Sequence, residues 1–296
     1  MWDAQVADLA GGQYNRVSRD QLRDLGVSAD WIAHRVATGR LVIVGEGVLA
    51  IAPVMDYDDW GKWMGATLTA PGTRLSLGWA GFAWGFWYRP NGLITVTRPG
   101  SGGPRRMSGV IAYRSTTVAA ESTELQGVPI TTVSRTLFDL ARSASDAALA
   151  RGLREAIRLE HTTLEALATD LIDRQFHRGA RRTVDLLARY SGLPLQRARS
   201  GAEIKALELL RGAGRPMPRL NVKVAGEEAD LSWPEFNQIV EIDGGPFHQD
   251  VGEDARKEAA WRAAGWAVRR IPSDDVYDRP ARLLAICPPN VPRGGP

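Results

Sequence analysis

Apolar positions along the chain switch between helical and alternating periods, and the switches mark out three folded segments. In the first, residues 1–54, Ser18 with Gln21 forms a capping-box pattern that predicts a helix through Leu25, stopped at Gly26. Ser28 opens a second helix, Ala29–Thr38, with Trp31, Ile32 and Val36 on its apolar face and Gly39 as a left-handed stop. Leu41–Val44 and Val48–Ile51 then flank Gly45-Glu46-Gly47, a hairpin signal. The second segment, residues 55–191, opens with a helix near Asp58 carrying Trp60, Trp63, Met64, Thr67 and Leu68. The Leu75–Trp87 stretch adds Trp79, Trp84 and Trp87, all read as core. Strands at Leu93–Thr97 and Val110–Arg114 enclose a flexible basic loop at 99–106, and helices cover 133–142, 146–159, 163–173 (Thr162 and Glu165 as capping box) and 178–190. The third segment, residues 197–288, reads α-β-β-β-α-β. A helix from Ser200 to Gly212 precedes strands at 220–224, 229–233 and 238–243, a helix at 253–264 and a strand at 266–271. The Pro/Gly-rich residues 289–296 form a frayed tail. The fold class expected is therefore a multidomain α+β or α/β chain.

Helix, tight turn, helix, hairpin is the order of a winged helix-turn-helix, whose second helix enters the major groove while the wing lies on the backbone. Ser28, His34, Arg35 and Arg40 are the candidate DNA contacts on that reading. The same order also suits a small α+β module for protein contacts.

The strand Gln238–Asp243 carries the chemistry. Side chains alternate across a strand, so Glu241 and Asp243 share a face with Ile239, while Val240 and Ile242 face the other way. Two carboxylates on a covered strand lose hydration and repel, a large cost unless something offsets it. Asp230 lies eleven residues before Glu241, across a short turn, a spacing that suits neighbouring antiparallel strands. A divalent cation, Mg²⁺ or Mn²⁺, held by Asp230, Glu241 and Asp243 is one offset. A buried ion network with Arg269, Arg270 or Lys257 is the other. His248, five residues past Asp243, can move protons near neutral pH. Glu203 on the preceding helix either faces the cluster or serves only as a cap.

The 296 residues carry a net charge of +3 and a sequence pI of about 9.2. Lys occupies only positions 62, 205, 223 and 257, so Arg supplies the other 33 of the 37 basic residues. That bias suits phosphate and guanine recognition and equally a GC-rich genome. Seven arginines fall between Arg174 and Arg199 against one acid, Asp185, either a solvated face or a phosphate-contacting stripe. The single cysteine, Cys287, excludes an intramolecular disulfide and a Cys-cluster zinc site. Met1-Trp2-Asp3 lacks a basic start and a long apolar run, and no stretch reaches the length of a membrane span, so a cytoplasmic location without membrane partners is expected. No small-molecule cofactor is expected.

Asp230, Val-Glu-Ile-Asp-Gly (240–244), His248, the Asp254-Ala-Arg256-Lys257 helix and Gly265-Trp266-Ala-Val-Arg269 together resemble a domain related to Vsr mismatch endonucleases, within the PD-(D/E)XK superfamily. The resemblance spans about Arg199 to Ile286. It implies a restriction-endonuclease-like fold in which Asp230 and Glu241 ligate metal, Asp243 and His248 complete the site, and Glu203 is the helical acid. The superfamily's Lys would fall at position 243, where this chain has Asp; Vsr-like members also lack it, and Lys257 is a candidate substitute. Val17-Ser-Arg-Asp-Gln-Leu, Leu25-Gly-Val-Ser28, Arg35-Val-Ala-Thr-Gly39-Arg40-Leu and Gly47-Val-Leu-Ala resemble the winged-helix start of AbiEi-type antitoxins. Gly127-Val-Pro-Ile-Thr-Thr-Val-Ser-Arg-Thr-Leu-Phe-Asp-Leu140 resembles the domain usually beside it. Two functions follow from these resemblances: a Mg²⁺-dependent DNA endonuclease or nickase, or an antitoxin-like DNA-binding regulator with an inactive nuclease fold and a toxin-like protein partner.

Overall fold

The computed structural model describes residues 2–54, 59–107, 109–172, 179–194, 197–244 and 251–289. The chain is a mixed α+β structure of two compact units, residues 1–152 with 176–180, and residues 153–175 with 181–296. No helix among the described residues is long and apolar enough to cross a membrane.

The first unit starts with α1 (Trp2–Gly11), β1 (Arg16–Ser18), α2 (Arg19–Asp24), α3 (Ala29–Ala37), β2 (Leu41–Gly45) and β3 (Val48–Ile51). The Ser18 hydroxyl accepts the Gln21 backbone N–H at 3.1 Å while the Gln21 side-chain Oε1 accepts the Ser18 N–H at 2.9 Å, so the expected capping box forms. Gly26 (φ 75°) then lets the chain turn sharply from α2 towards α3. The three strands form an antiparallel sheet in the order β1-β3-β2. Val6, Val17, Leu22, Ile32, Leu41 and Leu49 close its core. Neither α1 nor β1 was anticipated. β1 is three residues long, too short to show a period.

A six-stranded sheet follows, in the order β6-β7-β5-β4-β9-β8, from β4 (Arg74–Leu75), β5 (Ile94–Pro99), β6 (Arg105–Met107), β7 (Val110–Ser115), β8 (Ser122–Leu125) and β9 (Val128–Thr131). The loop expected at 99–106 is thus shorter than its composition suggests: Arg105 and Arg106 enter β6 and pair with Ala112 and Ile111 of β7. α4 (Asp59–Thr67) and α5 (Leu77–Ala83) bring Trp63 and Trp79 into one buried cluster, with Trp60 and Trp84 partly buried against it, so these tryptophans are core. Every residue of α6 (Val133–Leu140) is buried. Its Arg135 pairs with Glu121 and, at 2.8 Å, with Asp139, and donates to Thr117 at 3.0 Å. Burial alone would disfavour that guanidinium's charge, but the two carboxylates outweigh it and raise its pKa.

Three helices come next in sequence, α7 (Asp146–Arg158), α8 (Leu164–Ile172) and α9 (Ala180–Tyr190). The residue capping α8 is Thr163, whose hydroxyl accepts the Ala166 N–H at 3.1 Å; the capping box expected at Thr162 sits one residue too early. The second unit continues with α10 (Gly201–Gly212), β10 (Arg219–Val224), β11 (Glu227–Trp233), β12 (Gln238–Asp243), α11 (Val251–Ala263), β13 (Ala267–Pro272), α12 (Ser273–Asp278) and α13 (Pro280–Ile286). Its sheet runs β10-β11-β12-β13, with β10, β11 and β12 antiparallel and β13 parallel to β12. A parallel return requires a crossover, which α11 supplies. Val224, Ala229, Ile239, Trp261 and Val268 form the core between α11 and the sheet, and the Trp261 indole N–H donates to the Val224 carbonyl at 3.0 Å. Trp261→Ala is expected to destabilise the second unit by about 3–5 kcal/mol, the usual cost of deleting a buried aromatic. Hydrogen exchange at the β12 and β13 amides measures it, against Arg262→Ala on the same helix, expected within about 0.5 kcal/mol of the parent.

Candidate active site

The ladder between β11 and β12 pairs Trp233 with Gln238, Ser232 with Ile239 and Leu231 with Val240. One step further along that register brings Asp230 beside Glu241. There the side chains take over the pairing. The Asp230 N–H donates to Glu241 Oε1 at 2.9 Å, and the Ile242 N–H donates to Asp230 Oδ2 at 2.8 Å. Peptide groups that would otherwise need a partner across the sheet are satisfied by two half-buried carboxylates.

These hydrogen bonds do not cancel the electrostatic cost. Burial is the largest effect on Asp230 and pushes its carboxyl up to about 6, assisted by the charges of Glu203, Asp243 and Glu228 and opposed by the Ile242 N–H. Glu241 is pushed up to about 7, first by burial and then by Asp230, with the Asp230 N–H, Arg270 and Lys257 acting the other way. The two titrate as a pair that retains a proton near neutrality. Adjacent carboxylates are hard donors of the kind that Mg²⁺ and Mn²⁺ accept, one or two at a time, with water and phosphate completing the shell.

The other predicted residues divide. Glu203, 4% exposed, sits in the first turn of α10, where its own N–H is capped by Ser200 Oγ at 3.1 Å. Its Oε2 accepts the Arg199 N–H at 2.9 Å and the Asn221 side-chain amide at 2.7 Å. The Glu203 side chain therefore returns to the Arg199 N–H and not to that of its own cap residue Ser200, and the same carboxylate acts on Asp230. Lys257 pairs with Glu253 at 3.0 Å and interacts electrostatically with Glu241. Asp243 is bound by Arg270 at 3.0 Å, and the same guanidinium holds Asp254 at 2.8 Å. The two carboxylates at the ladder end come together, whereas Asp243 is engaged by arginine, as in the ion-network alternative. Among the described residues no group of three or more His, Cys, Asp and Glu side chains is disposed to hold a metal ion. His248 lies outside the described residues.

In the first unit, Ser28 caps α3, its hydroxyl accepting the Trp31 N–H at 3.2 Å. Ser28, His34 and Arg40 are exposed. Arg35 is not: it pairs with Asp3, and its guanidinium lies 5.0 Å from the centre of the Trp31 ring. Asp3 belongs to the unanticipated α1, so sequence gave no sign that Arg35 would be engaged within the fold.

Asn221 was overlooked. It adopts a left-handed conformation (φ 48°) within β10, and its amide bridges Glu203 and the Arg197 carbonyl, the latter at 2.7 Å. The only hint was an Asn in an alternating strand, where Asn is depleted.

A carboxyl whose pKa is raised by folding binds more protons folded than unfolded between its unfolded value, about 4, and its folded one. Stability therefore falls as pH climbs through that window, here towards about 7. Glu241→Gln keeps an acceptor for the Asp230 N–H and removes the charge. It is expected to be about 1–2 kcal/mol more stable than the parent at pH 8, after solvent screening, with the gain vanishing near pH 4. Thermal unfolding across that range checks this, and a gain independent of pH would contradict it.

No protein-family model and no curated protein matches the chain.

Proposed function

We propose that this protein is a divalent-metal-dependent DNA endonuclease or nickase. The observation that carries the reading is the pair of half-buried carboxylates at the end of the β11–β12 ladder, both raised in pKa by burial, with Glu241 raised further by Asp230 and Asp230 by Glu203, Asp243 and Glu228. Strongly perturbed acids concentrate at functional sites. The sheet order and the β12–α11–β13 crossover support a restriction-endonuclease-like core, and the α2–α3–β2–β3 sequence of elements supports a winged helix-turn-helix that holds the duplex.

Asp230 and Glu241 would hold a Mg²⁺ or Mn²⁺ ion, which when bound polarises a phosphodiester and makes a water more acidic. In the hydrolysis the water oxygen bonds to phosphorus as the bond to the leaving sugar oxygen breaks. Glu241, as a ligand, would be held ionised by the ion's charge, so the proton released by the water would pass to solvent or to His248, whose imidazole accepts protons near neutral pH. Lys257 lies within electrostatic reach of Glu241 and favours negative charge there. Glu203 orders Asn221 and the chain at Arg199 behind the pair. His248 is the candidate that returns a proton to the leaving oxygen.

A second reading, an antitoxin-like DNA-binding regulator with a toxin-like partner and an inactive nuclease fold, has one specific support: Arg270 occupies Asp243.

Supercoiled plasmid incubated with the full chain and Mg²⁺ or Mn²⁺ decides between them. Nicking or linearisation is expected, with Asp230→Asn and Glu241→Ala slower by on the order of a hundredfold or more. Equally intact plasmid with the parent and both variants would favour the regulator.

A further inference from the structure

The second unit carries a cleft of about 550 Å³ whose walls include Arg158, Glu160, Arg197, Arg199, Leu220 and Asn221. Its lining holds three arginines and one glutamate. Arg158 comes from the last turn of α7, Arg197 and Arg199 from the segment leading into α10, and Asn221 from β10. Sequence-distant arginines therefore meet around one opening.

Arg197 is exposed and has no carboxylate partner among the described residues. Arg199 pairs with Glu228, and Arg158 with Glu155 at 2.9 Å. The Arg199 pair is a weak competitor, because its guanidinium is largely exposed and exposed ion pairs contribute little, whereas the half-buried Arg158–Glu155 pair leaves Arg158 its remaining N–H donors for an anion. The guanidinium fork also matches phosphate oxygens.

The cleft is linked to the acids through Glu203. Asn221 bridges the Arg197 carbonyl and Glu203, the Arg199 N–H also binds Glu203, and Glu203 acts on Asp230. Arg199's partner Glu228 acts on Asp230 as well. Glu203 thus stands between the cleft residues Arg199 and Asn221 and the pair at the ladder end. A single phosphate ion fills little of such a volume, whereas a polynucleotide backbone repeats its charge along it.

We propose that this cleft binds the phosphodiester backbone of a DNA duplex, with Arg158, Arg197 and Arg199 as phosphate contacts and Asn221 positioning Arg197 relative to the carboxylate pair. The proposal rests on the nuclease reading for its choice of ligand, but it is tested by binding alone. Arg158→Ala/Arg197→Ala removes two of the contacts. Arg197→Glu is the second variant, since that side chain makes no ion pair among the described residues whose loss would unfold the chain. Arg262→Ala, an exposed arginine on α11, is the control.

The experiment titrates a fluorescein-labelled DNA duplex with the full chain in EDTA, across a range of KCl, after unfolding curves show each variant folded. The double variant is expected to bind about tenfold or more weakly, with the slope of log affinity against log salt reduced by about two. Arg197→Glu is expected to lose at least as much affinity per site, and Arg262→Ala none. Parent-like affinity and salt slope in both cleft variants would overturn the proposal. So would inorganic phosphate binding that depends on these arginines while duplex binding does not. A parent chain that binds duplex through the cleft yet leaves plasmid intact with Mg²⁺ and Mn²⁺ would overturn the enzyme reading and leave the cleft standing.

Discussion

The second unit is organised around the place where β11 and β12 stop pairing through their backbones. Beyond Leu231 and Val240, Asp230 and Glu241 take the peptide N–H groups as partners, and each thereby fixes the other's strand. The arrangement satisfies the backbone and leaves two like charges side by side. Buried carboxylates in this situation are costly in their ionised form, so the pair holds a proton at pH values where ordinary carboxylates have lost theirs. A cation or a proton can relieve the repulsion. That is the physical basis for reading the site as chemistry and not as scaffold.

The first unit provides the contrast. Arg135 is more deeply buried than either acid, but it meets Glu121 and Asp139, and its charge is strengthened by them. A buried network whose opposite charges meet in this way specifies packing. At the ladder end of the second unit the cationic groups stand one step back: Arg270 is divided between Asp243 and Asp254, and Lys257 is paired with Glu253. Their influence reaches Glu241 without balancing it.

Local signals were legible in the sequence wherever one short stretch held the whole cause. The Ser18–Gln21 box, the α3 cap at Ser28 and the strand Gln238–Asp243 fall where their residues predict. The proximity of Asp230 and Glu241 was also readable, because a short turn and a two-residue alternation leave little freedom in the register. What could not be read depends on distant partners. The pairing of Arg35 with Asp3 needs α1, whose helical pattern has no capping signal. The strand at Arg105–Met107 forms because β7 offers an edge, against a Gly/Pro-rich approach that reads as loop. Asn221 earns its left-handed backbone from Glu203 and Arg197, eighteen and twenty-four residues before it. Asp243 shares a strand face with Glu241, and strand geometry alone does not reveal that Arg270 claims it.

Arg270 has a further effect on the elements that carry its two partners. Itself on β13, it grips Asp243 at the end of β12 and Asp254 in α11, so one guanidinium joins three elements of the second unit. The strand that bears Glu241 is thereby anchored at its far end by a side chain as well as by its parallel pairing with β13.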